Sequence, residues 1–180
     1  MQRIEEYAMK TTLFARAACI LVLCCAPVVS KAQNISIPLR SFEEVPSVSS
    51  SARGMFRARI DNGAIAYRVS YEGLQGEVRQ AHIHFGQTGV NGGVSVFLCQ
   101  TAANPDPTGL APTCPASGEV AGMLSAANII GPSGQGISAG EFGELIAAIR
   151  KGVAYVNVHS SLFPAGEIRG QLDRGEHGGH

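Results

Sequence analysis

The 180-residue sequence has no tryptophan, no net charge and only 16% charged residues. Its longest apolar stretch, AACILVLCCAPVV at residues 17–29, falls short of the roughly 20 residues a membrane-spanning helix needs. The charges are unevenly spread. The first 32 residues carry four basic and two acidic side chains, so with 14 of each in the chain the remainder bears ten and twelve, a net charge of about −2. A chain without a basic excess speaks against binding to a nucleic-acid backbone. There is no H-E-x-x-H pair and no Walker lysine, so metalloprotease and nucleotide-hydrolysis signatures are missing. Gly134-Gln135-Gly136-Ile137-Ser138-Ala139 has the letters of a dinucleotide loop, but no buried strand leads into it and no βαβ unit surrounds it. No internal repeat occurs.

Glycine is absent from the first 32 residues, and all 22 glycines follow them. The apolar stretch preceded by Lys10 and Arg16 and followed by Ser30-Lys31-Ala32 reads as a secretory signal peptide, cut between Ala32 and Gln33. An uncleaved anchor is the weaker reading. Met9-Lys10 offers an alternative start with a cleaner basic leader. Cys24 and Cys25 suggest a lipoprotein cysteine, but Leu23 stands where a small residue is expected. The expected organisation is therefore a leader at 1–32, one domain at 33–172 and a disordered polar tail at 173–180. The mature chain keeps two cysteines, Cys99 and Cys114. In an exported protein they imply one disulfide closing a loop of about 15 residues, rather than two free thiols. The bracketed segment, rich in proline, reads as a surface loop.

Scattered valine and isoleucine in a glycine-rich, charge-poor chain point to short strands joined by tight turns. Residues 34–39 begin an extended segment in which Pro38 marks an edge or a strand end. Asn34 heads an N-x-S sequon. In 52–60, Phe56, Ala58 and Ile60 alternate with Arg53, Arg57 and Arg59, a period of two with a solvated arginine face. Asp61-Asn62-Gly63 suits a hairpin turn, and 64–71 returns with Ile65, Tyr67, Val69 and Tyr71 on one side. Further strands are expected at 78–85, 94–99, 118–124, 153–159 and 167–172, with a glycine-rich loop at 86–93. Ser138-Ala139-Gly140-Glu141 reads as a capping box, followed by Phe142, Leu145, Ile146 and Ile149 at helical spacing and stopped by Gly152. The expected fold is all-β, a mostly antiparallel Greek-key-like β-sandwich with one short covering helix.

Histidine placement is the one constellation with chemical content. His82 and His84 are two residues apart in a strand, so both rings leave the same face. His159 ends another strand, on the face that bears Tyr155 and Asn157. If the two strands are neighbours, three imidazoles converge as ligands for one copper or zinc ion. Nitrogens within about 3–4 Å of one another would fit ligands at about 2.0–2.1 Å around a common ion. The competing reading is that these histidines hydrogen-bond backbone or carboxylates at a sheet edge and hold the glycine-rich loops. Glu167 and Arg169 also share a face. A structural role, in a salt bridge to the arginine-bearing sheet, suits them better than a role behind a histidine. His177 and His180 belong to an exposed Gly/His tail.

Glu43-Glu44-Val45-Pro46, AHIHFGQTGVNGGVSVFL at 81–98 and GVAYVNVHSSLFPAGEIRGQL at 152–172 together resemble the CHRD domain, the module named after chordin. The resemblance covers residues 35–172 and implies a secreted or cell-surface β-sandwich. The cysteine-rich domains that accompany such repeats in chordin are missing, so growth-factor antagonism does not carry over, and the Cys99–Cys114 insertion lies outside the usual pattern. More faintly, Gly73-Leu74 followed by His82-Ile83-His84-Phe85-Gly86 resembles the copper-ligand strand of Cu/Zn superoxide dismutases. That family also needs zinc-ligand histidines and an aspartate just beyond, and residues 87–93 offer none. The sequence thus points first to a non-enzymatic, exported binding or structural module of the envelope or matrix. Its partner would be an extracellular or envelope protein or a metal ion, with no nucleic acid and no transmembrane anchor in the mature chain. The alternative is a copper or zinc protein using His82, His84 and His159, with dismutase chemistry a distant third.

Overall fold

The structure, a computed structural model, describes residues 32–172. The expected signal peptide, the cysteines within it and the Gly/His tail lie outside the described residues. Eight strands and one helix follow in the order β1 (Gln33–Arg40), β2 (Arg53–Asp61), β3 (Ala64–Glu72), β4 (Val78–Phe85), β5 (Gly93–Cys99), β6 (Gly118–Leu124), α1 (Phe142–Arg150), β7 (Ala154–Ser160) and β8 (Ile168–Gln171). The strands form one sheet in the order β5-β4-β7-β8-β1-β2-β3-β6, with every neighbouring pair antiparallel. The sheet coils on itself into a nearly closed, barrel-like sandwich in which its two edge strands, β5 and β6, approach each other. The Tyr67 hydroxyl of β3 closes that gap by donating to the Leu98 carbonyl of β5 at 2.6 Å.

The period of two places one apolar set inside the coil: Ile35, Ile37 and Leu39 from β1, Phe56, Ala58 and Ile60 from β2, Ile65, Tyr67, Val69 and Tyr71 from β3, then Ile83, Val96, Leu98, Val156, Val158 and Ile168. The helix adds Phe142, Leu145, Ala148 and Ile149 to the same core. The hairpin at Asn62 and Gly63 has both residues at positive φ, as its two strands require. Arg53, Arg57 and Arg59 face solvent, and Arg53 pairs with Glu72 and Arg59 with Asp61. That is the solvated face expected of them.

Two local expectations need correction. The helix begins at Phe142 with Glu141 at its N-cap, not at the expected box residue Ser138. Gly140 takes φ +85°, which no helical residue adopts, so the first turn cannot start there. Half of the box survives, because the Ser138 N–H donates to the Glu141 carboxylate at 2.6 Å. Pro38 neither ends a strand nor lies on an edge: β1 runs through it, between β2 and β8. The proline is tolerated because β1 pairs with β8 at Arg40–Arg169 alone, so little of that ladder asks for an N–H donor.

A disulfide joins Cys99, at the end of β5, to Cys114. The segment it closes is ordered from within. Asp106, itself buried, accepts hydrogen bonds from the Thr108, Leu110 and Ala111 N–H groups and from the Thr108 hydroxyl. The Gln100 side chain also spans the loop, donating to the Ala111 carbonyl and accepting from the Asp106 N–H. Replacing both cysteines by serine should lower unfolding stability by about 3 kcal/mol, the loop-entropy value for this span. Denaturant unfolding of the oxidised and the double-serine proteins checks this. Equal midpoints and slopes would show that the hydrogen bonds of the loop suffice without the covalent link.

Candidate metal centre

The pairing of β4 with β7 sets Gln80 opposite His159, His82 opposite Asn157 and His84 opposite Tyr155. With Ile83, Val156 and Val158 turned inward, the alternate residues of both strands must face outward. His82, His84, Tyr155, Asn157 and His159 therefore share one outer patch, which Phe97 of β5 and Arg169 of β8 extend. On most antiparallel sheets such a face would be wet. Here all of β7 is buried, and His82, His84 and His159 are only 2%, 7% and 5% exposed.

Loops account for this burial. The glycine-rich loop at 86–92 is tied down by Arg169, which donates to the carbonyls of Gln87 and Val90 and to Asn91 Oδ1. Asn91 in turn donates to the Val45 carbonyl, and Gln171 to that of Gly86. Gly92 has to be glycine, since a Cβ there would collide with the Phe85 carbonyl. At the other end, Gly166 at φ +133° leaves its Cβ position to the side chains of Glu44 and Asn157.

Hydrogen bonding assigns the protons on the three rings. His84 Nδ1 lies 3.0 Å from the Gly92 carbonyl and His159 Nδ1 lies 3.0 Å from that of Pro164. A carbonyl only accepts, so both Nδ1 atoms carry hydrogen and both Nε2 atoms are bare. His82 Nδ1, 3.1 Å from His159 Nε2, is then the donor to it. That leaves His82 Nε2 and His84 Nε2 buried without a hydrogen-bond partner. Unpartnered buried nitrogens are uncommon and call for a physical reason. One ligand atom from each of the three residues lies within 4.8 Å of the others, and no cysteine, aspartate or glutamate joins the group among the described residues. Tetrahedral ligands at 2.0–2.1 Å stand about 3.3 Å apart. The pair at 3.1 Å, His82 Nδ1 and His159 Nε2, is held by a hydrogen bond whose proton an ion would have to replace, and the group as a whole is wider than the expected 3–4 Å. The two readings are compatible at His84, where a carbonyl bond on Nδ1 orients the ring and leaves Nε2 free, while at His159 the same kind of bond turns Nε2 toward His82.

Burial dominates the electrostatics. It pushes His82 down to about 2 and His159 to about 4, and lowers His84 as well, with the neighbouring charge of Arg169 adding a smaller push. All three rings are neutral at neutral pH, the form in which imidazole ligates metals. The Arg169 guanidinium lies 3.4 Å from the centre of the Tyr155 ring, and His84 stacks on that same ring at 4.7 Å. The Phe97 ring meets His82 edge-on at 4.2 Å.

Arg169 does not pair with Glu167. The buried Glu167 carboxylate instead accepts from the Ser50 hydroxyl at 2.7 Å and the Gln75 N–H at 2.8 Å, tying two loops to β8. Among the described residues neither makes the expected salt bridge to the arginine-bearing sheet, and both instead hold loops through hydrogen bonds. Glu44 was not singled out as a site residue, although it is buried and its carboxyl is lifted to about 7 by burial, against the opposing pull of Arg169. The only earlier signal was its place in the Glu43-Glu44-Val45-Pro46 motif. Asn34 is exposed on the outer side of β1.

The fold and the site define a nearly closed antiparallel sandwich with an imidazole cluster roofed over by loops. The CHRD domain family matches residues 35–172, and the chain belongs to that family. No curated protein matches the chain, and no solved structure does.

Because Glu44 is lifted to about 7 in the fold from 4.5, its protonated form stabilises the protein, fully below pH 4.5. That contribution is lost as pH rises through 7. Glutamine cannot lose a proton, so the stability of Glu44→Gln relative to the parent should climb between pH 4.5 and 7, by about 3 kcal/mol in all, and then level off. Denaturant midpoints across pH 4 to 9 read this directly. Parallel profiles for the two proteins would contradict it.

Proposed function

We propose that this protein is an exported, non-enzymatic CHRD module of the cell envelope or extracellular matrix, and that it binds one copper or zinc ion through His82, His84 and His159. The observation that carries the metal reading is the set of three neutral, buried imidazoles with one ligand nitrogen of each within 4.8 Å of the others, two rings oriented by carbonyls and two with an unpartnered Nε2. An apolar face would have buried the same surface without orphaned nitrogens, whereas an ion would satisfy them at once. The family and the Cys99–Cys114 disulfide both fit an extracellular setting. Export would remove residues 1–32 and leave 33–172 as the working domain. No helix among the described residues is long and apolar enough to cross a membrane.

CHRD domains are a non-enzymatic type, and the site suits holding an ion better than turning over a substrate. A dismutase would need a second set of histidines around zinc, and the loop at 87–93 supplies none. An envelope protein as a further partner is compatible with this reading, through surfaces away from the roofed site.

Metal-free mature protein, given copper or zinc, should take up one ion per chain and melt at a higher temperature. At an ion concentration a hundredfold above Kd the gain is about 2.7 kcal/mol. His84→Ala and His159→Ala should each abolish both the uptake and the shift. Melting that ignores every ion, with none retained after desalting, would remove the metal reading.

A further inference from the structure

We infer that the His82–His84–His159 site selects the cuprous ion over cupric and zinc ions, a conclusion that rests on the metal reading above and names its occupant. The first ground is charge. All three donors are neutral, and among the described residues no carboxylate or thiolate joins the ligand group. The cost of placing an ion in a buried, low-dielectric site grows with the square of its charge, so a divalent ion pays about four times the monovalent cost. In water-exposed zinc sites a bound hydroxide or a neighbouring carboxylate relieves that cost. Here the three rings are almost wholly covered.

The second ground is Arg169. Its guanidinium is buried and stacked on Tyr155, whose ring also stacks on His84, so a fixed positive charge stands one aromatic ring away from a ligand. Each added unit of charge on the ion is opposed by that cation, and the Glu44 carboxyl that faces Arg169, lifted to about 7, offsets it only in part at neutral pH. The third ground is coordination number. Zinc held by three histidines takes a water as its fourth ligand and cupric copper calls for a tetragonal set, whereas the three imidazoles here are covered and flanked by the rings of Phe97 and Tyr155. Cuprous copper, with a filled d shell and a single charge, is satisfied by two or three nitrogen donors.

The test is a set of competition titrations on the wild-type mature protein. Cuprous ion is presented anaerobically with bicinchoninate as competitor, and cupric and zinc ions are presented with chelators of known affinity. Cuprous binding at least tenfold tighter than either divalent ion is expected. For copper this corresponds to a couple about 59 mV above the aqueous one. Divalent binding equal to or tighter than cuprous binding overturns the selectivity while leaving the metal site standing. Failure of all three ions to bind overturns the metal reading itself. Arg169→Gln should narrow the cuprous preference and Arg169→Lys should keep it. An unchanged ratio in folded Arg169→Gln protein would overturn the electrostatic ground.

Discussion

The antiparallel pairing of β4 with β7 is the constraint on which the rest depends. Once Ile83, Val156 and Val158 are committed to the core, the residues between them have no choice of face. A slip of one residue in that register would send the histidines inward and the valines out. The interior has no partner for polar rings, so the apolar core and the imidazole cluster are specified by the same pairing. The coiling of a single sheet adds the second element. It brings β8, with Arg169, alongside β7 and so places a cation beside the histidines that no local pattern implies.

Much of this architecture is legible along the chain, because strand periodicity is a local property. The alternation of Phe56, Ala58 and Ile60 with arginines, and the Asp61-Asn62-Gly63 turn, gave strands and a hairpin where the structure has them. The same-face placement of His82 and His84 follows from a period of two. His159 is different. Its convergence depends on β4 and β7 being neighbours although 77 residues separate His82 from His159, and local pattern does not carry such long-range pairing. The misplaced helix start has the opposite character. The letters of a capping box were present, but Gly140 took a left-handed conformation that interrupts the turn.

Glu44 and Arg169 were illegible for a further reason. Charged residues are seldom fully buried, so sequence alone assigns them to a solvated surface or an ion pair. Here the covering loops decide. Arg169 replaces the water it would have had with three acceptors on the 86–91 loop and an aromatic face, while Glu44 is boxed against Asn157 at the cost of a raised carboxyl pKa. Their environment was built by distant loops, and it is visible only once those loops are in place.

The way the cluster is roofed bears on what the module does. The two carbonyls that orient His84 and His159 belong to the same loops that shut out solvent, at Gly92 and Pro164. Occupation of the proposed site is thereby linked to closure of those loops. An ion that draws the three imidazoles together also fixes the segments that carry the carbonyls, and its binding free energy becomes part of the stability of the fold. Such coupling suits a resident ion that firms up a small domain. It suits rapid exchange with a substrate poorly, because the rings lie almost wholly covered beneath those loops. The buried, neutral and pre-oriented donors thus argue from one geometry for both halves of the reading, a retained ion and a module that binds rather than reacts.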